Sequence, residues 1–199
     1  MKINYIVFDF GGVLVQYDFT GYFERLTGSR ERAEFIMHNI LTDAVSDEMD
    51  RALRPFSFYL DRCKQQFPDY AHELDCFDRD YTDVFTCETP GMRQFMEQMK
   101  RKGYKLLGLS NWSARVYDVM RKFDIFSELD GYLLSKDVHQ LKPKPGIYYS
   151  FYLKFGVDPA ECVFIDDKPE NVAGSIATGM PAIRFTSMEK LREEIKGYL

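Results

Sequence analysis

Five short apolar runs, at residues 3–8, 105–109, 131–134, 162–165 and 182–185, alternate over most of the chain with segments of helical spacing. This alternation is the tightest constraint on the fold. Short runs with little polar interruption suit strands buried on both faces, and the helices between them supply the cover. Helical candidates lie at 91–102, 114–123, 146–155, 170–178 and 188–198. Their ends fit local chemistry: Thr89-Pro90 opens the first, Gly103 closes it, Pro169 precedes the fourth and Gly179 ends it. The pattern predicts an α/β fold with a doubly wound parallel sheet.

The alternation fails once. From Tyr17 to Cys87 only helical spacing is evident, as in Phe19, Tyr22, Phe23 and Leu26, or Phe56, Tyr59, Leu60, Cys63 and Phe67, with Pro55 and Pro68 as punctuation. An all-helical insertion over 17–87 is therefore expected, leaving 1–16 and 88–199 as the core. It holds 13 of the 31 aromatic residues, enough for a small core of its own and for lining a pocket.

The 199-residue length suits one core domain carrying such an insertion. The net charge is −5 with no basic block, so neither nucleic acid nor an anionic membrane is an expected partner. Cys63, Cys76, Cys87 and Cys162 form no CxxC pair and read as buried or bystander thiols in a reducing cytosol. Asn4 and Asp9 interrupt the N-terminal apolar run, and no small-residue cleavage site follows. A signal peptide is not expected, and the cytoplasm is the expected location.

In an open parallel sheet ligands bind beyond the carboxyl ends of the strands. Asp9-Phe10-Gly11-Gly12-Val13 ends the first strand, where an Asp and two glycines permit a tight turn with amides near an anion. Taken singly, Asp9 is equally a plain strand-to-turn residue. Ser110-Asn111 ends the second strand, able to bond a phosphoryl oxygen or to cap the next helix. Leu141-Lys142-Pro143-Lys144-Pro145 follows the third in a proline-stiffened loop, where Lys142 is an anion-compensating charge or a solvated lysine. Asp166-Asp167 ends the fourth. Adjacent carboxylates repel one another unless a cation or hydrogen bonds compensate, and oxygen ligands of this kind suit Mg²⁺.

Together, Asp9-Phe10-Gly11-Gly12-Val13, Ser110-Asn111, Lys142-Pro143-x-Pro145-x-Ile147-Tyr148 and Ile165-Asp166-Asp167 resemble the four ordered motifs of the haloacid dehalogenase-like hydrolases. The insertion falls where that superfamily places a small helical cap on its Rossmann-like core. The nearest resemblance is to the branch with glucose-1-phosphatase-like proteins and the N-terminal domain of soluble epoxide hydrolases. The resemblance implies an Mg²⁺-dependent phosphatase acting on a small phosphorylated metabolite through an aspartyl-phosphate. Asp9 would be the nucleophile. Asp9, Asp167 and the carbonyl of Gly11 would hold Mg²⁺, with Asp166 a further ligand or a partner one step removed. Ser110, Asn111, Lys142 and nearby amides, Gly12 among them, would hold the phosphoryl oxygens.

One position departs from the family pattern. Most of its phosphatases carry a second Asp, the general acid and base, two residues after the nucleophile, and here that residue is Gly11. Such help is typically worth ~10²–10⁴-fold. Either substrates with good leaving groups are favoured, sugar 1-phosphates first among them, or another group substitutes. Tyr17, Asp18 and Glu48 are candidates. A catalytically weak or inactive binding module is the alternative that Gly11 raises. A carbon–phosphorus or carbon–halogen hydrolase is a minor one; the insertion's only lysine, Lys64, reads as a surface residue. His38, His72 and His139 show no ligand spacing. Trp112 reads as packing, Met92, Met96 and Met99 as core filler or a partner face, and Asn171 as orienting the Asp166-Asp167 loop or capping its helix.

Overall fold

The apolar runs become strands in a computed structural model that describes residues 2–199. The strands are β1 (Tyr5–Phe8), β2 (Val15–Tyr17), β3 (Phe85–Glu88), β4 (Lys105–Ser110), β5 (Gly131–Leu134), β6 (Cys162–Asp166) and β7 (Ala182–Arg184). Five form a parallel sheet in the order β5-β4-β1-β6-β7. Central β1 pairs Phe8 with Gly108 of β4 and with Ile165 of β6, so the ends of three strands converge just beyond Phe8.

Side chains alternate across this sheet and are buried on both faces. Ile6, Phe8, Leu106, Val163 and Ile165 share one apolar cluster, while Val7, Leu107, Leu109 and Phe164 belong to a second. The helices are α1 (Phe19–Thr27), α2 (Arg30–Phe35), α3 (Asp43–Arg51), α4 (Phe56–Gln66), α5 (Ala71–Arg79), α6 (Met92–Arg101), α7 (Val116–Lys122), α8 (Ser135–Val138), α9 (Pro145–Phe155), α10 (Pro169–Ala177) and α11 (Met188–Glu194). Helices α6, α7 and α11 cover the first face, and α9 covers the second through Ile147, Tyr148 and Phe151. Met92, Met96 and Met99 are buried there, so they are core.

Helices α1–α5 occupy the insertion, as its spacing predicts. Its aromatics pack with their rings tilted against one another: Phe77 lies 5.5 Å from both Phe23 and Tyr81, and Tyr81 lies 5.5 Å from Phe85. Phe85 then meets Trp112 at 5.1 Å, which joins the insertion's core to the main one.

One expectation needs correction. The stretch expected to hold no strand contains the start of β3, which pairs antiparallel with β2 across the two chain crossings between sheet and insertion. Strands of three and four residues, with exposed Tyr17, Thr86 and Cys87, carry too little apolar pattern to stand out. All four cysteines are free, with Cys87 exposed and the others buried. Among the described residues, no helix is long and apolar enough to cross a membrane.

Candidate active site

Asp9 is the first residue past β1, and its N–H donates to the Ile165 carbonyl at 2.9 Å. That bond holds it between the ends of β4 and β6. Its Oδ1 accepts from Ser110 Oγ at 2.7 Å and from Lys142 Nζ at 2.8 Å. Lys142 Nζ also reaches Asp166 Oδ2 at 2.7 Å and the Leu109 carbonyl at 3.0 Å. With only 1% of its side chain exposed, Lys142 is a buried cation between two carboxylates, not a solvated loop lysine. Burial alone would lower its pKa, but the charges of Asp166 and Asp9 outweigh that and raise it. Burial pushes the Asp9 carboxyl up to about 7 against the pull of Lys142, and the Asp166 charge adds to the rise.

Asn111 fixes this lysine from behind. Its Nδ2 donates to the Lys142 carbonyl at 3.0 Å, and its Oδ1 accepts from the Lys142 N–H at 2.8 Å. The side chain expected on phosphoryl oxygens thus clamps the proline loop while lining the cavity beside it. Gly12 is a clearer correction. Its N–H donates to the Val15 carbonyl at 2.9 Å, closing the turn, so it is unavailable to substrate in this structure. Its role is steric: φ is +77°, and a Cβ there would lie 2.7 Å from Asp167 Oδ2.

Asp9, Asp166 and Asp167 each present an oxygen such that all three lie within 4.8 Å of one another. Whether they fit a divalent cation turns on which oxygens are free. Asp166 accepts from Lys142, from Asn171 Nδ2 at 3.1 Å on both oxygens, and from the Lys168 N–H at 2.8 Å. Asp167 Oδ1, by contrast, is buried with no hydrogen-bond partner. An orphaned buried carboxylate oxygen beside two further carboxylates is what an oxygen-seeking cation needs, so the residues fit. Asp167 has coordination to offer, whereas Asp166 is held by protein donors. Asn171 orients Asp166 and is itself tied by the Tyr148 hydroxyl, which donates to its carbonyl at 2.7 Å.

A cavity of about 750 Å³ opens above these groups, between the strand ends and the insertion. Asp9, Gly11, Ser110 and Lys142 line its floor. The sequence reading missed its far wall. Asp43, Asp47 and Asp50 of α3 line it, together with His38, and Lys168 joins from the core side. The spacing of 43, 47 and 50 puts three carboxylates on one helical face, a signal present in the sequence. Asp50 is half-buried; its Oδ1 accepts from the Ser113 N–H at 3.1 Å, and burial pushes its carboxyl up to about 7.

The three groups named as substitutes for the missing acid separate cleanly. Asp18 caps α1, accepting from the Gly21 N–H at 2.8 Å. Glu48 pairs with Arg62 at the surface. Tyr17 does line the cavity, its ring covering Gly11, where a Cβ would lie 3.2 Å from the ring edge. Trp112 packs as expected, donating from Nε1 to the Tyr81 hydroxyl at 2.8 Å.

A parallel sheet in this order thus carries a buried carboxylate and a buried lysine side by side at its central strand ends. The haloacid dehalogenase-like hydrolase profile matches residues 3–179, and the chain belongs to that family of hydrolases. Phosphatase MT3486 of Mycobacterium tuberculosis is 29% identical over 189 residues, covering 92% of this chain and 87% of that protein. Chloroplastic flavin mononucleotide hydrolase 1 of Arabidopsis thaliana is 25% identical over 105 residues, 53% of this chain and less than half (43%) of the relative. The HAD family enzyme BT-2542 of Bacteroides thetaiotaomicron, solved in complex with magnesium and inorganic phosphate, shares the fold at a TM-score of 0.72. The two are 18% identical, with 94% of this chain and 96% of that one covered.

Proposed function

We propose that the chain is an Mg²⁺-dependent phosphatase that hydrolyses a small phosphomonoester through an aspartyl-phosphate on Asp9. The observation that carries this reading is the buried Asp9–Lys142–Asp166 cluster with the orphaned Asp167 oxygen at the foot of the cavity. A binding module has no need of a carboxylate held at 2.7 Å by a serine beneath an open cavity.

Asp9, Asp167 and the Gly11 carbonyl would hold the cation, which when bound neutralises phosphoryl charge and lowers the Asp9 pKa. The chain's own residues do the rest. Asp9 attacks phosphorus with an oxygen not committed to Ser110 and Lys142. Lys142, kept charged by its two carboxylates, offsets charge on the equatorial phosphoryl oxygens. Ser110 orients Asp9 and offers its hydroxyl to the transferring group. Asn111 acts through the Lys142 backbone as a positioning residue.

The finer proposal is a sugar 1-phosphate. No lysine or arginine from α1–α5 is among the residues lining the cavity, so the insertion brings no fixed positive charge to a second phosphate or a carboxylate, and Lys168 stands on the core side. His38, Ser46 and the three α3 carboxylates suit hydroxyls instead. The test is phosphate release with and without Mg²⁺ across sugar 1-phosphates, sugar 6-phosphates, nucleotides, acyl phosphates and an aryl phosphate, with Asp9→Asn as control. Mg²⁺-dependent release that is lost in the variant supports the phosphatase, and preference for 1- over 6-phosphates supports the sugar assignment. Silence from folded protein that still binds phosphate and Mg²⁺ would instead favour the binding module.

A further inference from the structure

Proton transfer is the step for which Gly11 leaves no group, and the insertion brings a carboxyl to the same cavity. We propose that Asp50 of α3 is the general acid and base of this site, supplied across the cavity from the insertion. The inference rests on the phosphatase reading above.

Geometry supports it from three sides. First, Asp50 is anchored to the loop that follows Ser110 and to the start of α8: the Ser113 N–H donates to its Oδ1, and Ser135 Oγ donates to its backbone carbonyl at 2.6 Å. Ser110 itself donates to Asp9. The two carboxyls therefore hang from positions three residues apart, a stretch that spans at most roughly 10 Å. Both carboxyls line the same cavity. Second, Ser113 engages Oδ1 as an acceptor, so the acidic proton belongs on Oδ2. Among the described residues, Oδ2 has no protein partner, and it is not one of the sealed orphan atoms. Third, the other candidates are engaged or unsuited. Asp18 caps a helix, Glu48 pairs with Arg62, and a phenol such as Tyr17 has the wrong ordinary pKa to act as a base near neutrality. Asp47, one turn back on α3, is more exposed and lacks the anchor to the core.

The charged groups that act on Asp50 are Asp47 on its own helix, Asp9 across the cavity and Lys168 at the start of α10. The first two raise its pKa and the third lowers it, but burial dominates and leaves it near neutrality. A carboxyl so placed can give a proton in one step and take one in the next.

The steps balance. An Asp9 oxygen forms a bond to phosphorus as the bond from phosphorus to the leaving oxygen breaks. That oxygen takes its proton from Asp50 Oδ2 and departs as an alcohol. Water then attacks the phosphorus of the aspartyl-phosphate and gives a proton to the Asp50 carboxylate, as the bond from phosphorus to the Asp9 oxygen breaks and frees the Asp9 carboxylate. Phosphate leaves, and both carboxyls return to their starting state.

The experiment compares wild type, Asp50→Asn and Asp50→Glu on a sugar phosphate and on p-nitrophenyl phosphate, whose leaving group needs no proton. Asn retains an acceptor for Ser113, and matched thermal melts and circular dichroism check the fold. For Asp50→Asn the expected result is a fall in kcat/KM of ~10²–10⁴-fold on the sugar phosphate and less than about threefold on p-nitrophenyl phosphate. The aryl substrate should also show a burst of one equivalent of nitrophenolate, because the aspartyl-phosphate accumulates without a base. The decline of sugar-phosphate kcat/KM above neutral pH should vanish in Asp50→Asn, and Asp50→Glu should recover part of the rate. Equal loss on both substrates, no loss, or the selective loss appearing in Tyr17→Phe instead would overturn the assignment to Asp50 and leave the phosphatase standing. A wild type silent on both substrates would overturn the phosphatase reading and this inference with it.

Discussion

Replacing Lys142 by methionine tests the energetics of the site separately from its chemistry. The ammonium is almost sealed and contacts Asp9 Oδ1, Asp166 Oδ2 and the Leu109 carbonyl at 2.8, 2.7 and 3.0 Å. Methionine fills similar volume but leaves two buried carboxylates without their shared cation. Breaking a buried ion pair from one side costs about 3–5 kcal/mol, and at roughly 2–4 °C per kcal/mol for a chain of this size the melting temperature should fall by about 6–20 °C. The deficit has a defined sign with pH. The folded-state pKa of Asp9 is already raised above its unfolded value, and losing Lys142 removes a lowering influence and raises it further. Stability linked to such a group is fully present below the unfolded pKa near 4 and is lost as pH rises through the folded one. The penalty of Lys142→Met should therefore be smallest near pH 4 and largest above pH 7, and Mg²⁺ should recover part of it by neutralising Asp9. Urea melts of both proteins in EDTA at pH 4.5, 6 and 8, repeated in Mg²⁺, measure this. A pH-independent difference below about 1 kcal/mol would refute the view of Lys142 as the charge on which the cluster depends.

Three further outcomes are expected. Gly12→Ala should cost about 1–2 kcal/mol for the left-handed backbone and should weaken Mg²⁺ binding, because the new Cβ displaces Asp167; denaturation and calorimetric Mg²⁺ titration read the two effects separately. Tyr81→Phe should cost about 1–3 kcal/mol in thermal or urea unfolding, since it leaves the buried Trp112 Nε1–H without an acceptor. Asn111→Ala should lower kcat more than it raises KM, because it loosens the loop that aims Lys142; a change confined to KM would show that Asn111 acts by binding substrate.

The sheet was legible because its signal is local. Residues 3–8 and 162–165 are apolar with turn residues after them, and the two runs lie side by side in the fold. Asp9, Ser110, Lys142 and Asp166 were legible for the same reason, since each sits at the end of a strand, just past one, or in a loop further on. The roles within the group were not. That Gly12 serves by leaving room for Asp167, or that Asn111 holds a backbone and not only a ligand, depends on which atoms meet across 31 or more positions in sequence. Asp50 was harder still. Its helix places three carboxylates on one face, a pattern that solvated surface helices share. Only the docking of α3 against Ser113 and Ser135 distinguishes that face from a wet one. The β2–β3 ribbon escaped notice because strands so short are set by their neighbours more than by their own pattern.

Trp112 is the chain's single tryptophan, and it lies where the insertion meets the sheet. Its indole N–H binds Tyr81, its ring packs on Phe85, and its backbone N–H donates to Ser135 Oγ, which in turn holds Asp50. All tryptophan emission from the native protein thus originates at that junction. The chain carries an intrinsic optical gauge there, without labelling. A stopped-flow trace recorded as substrate enters would report changes in packing at that junction.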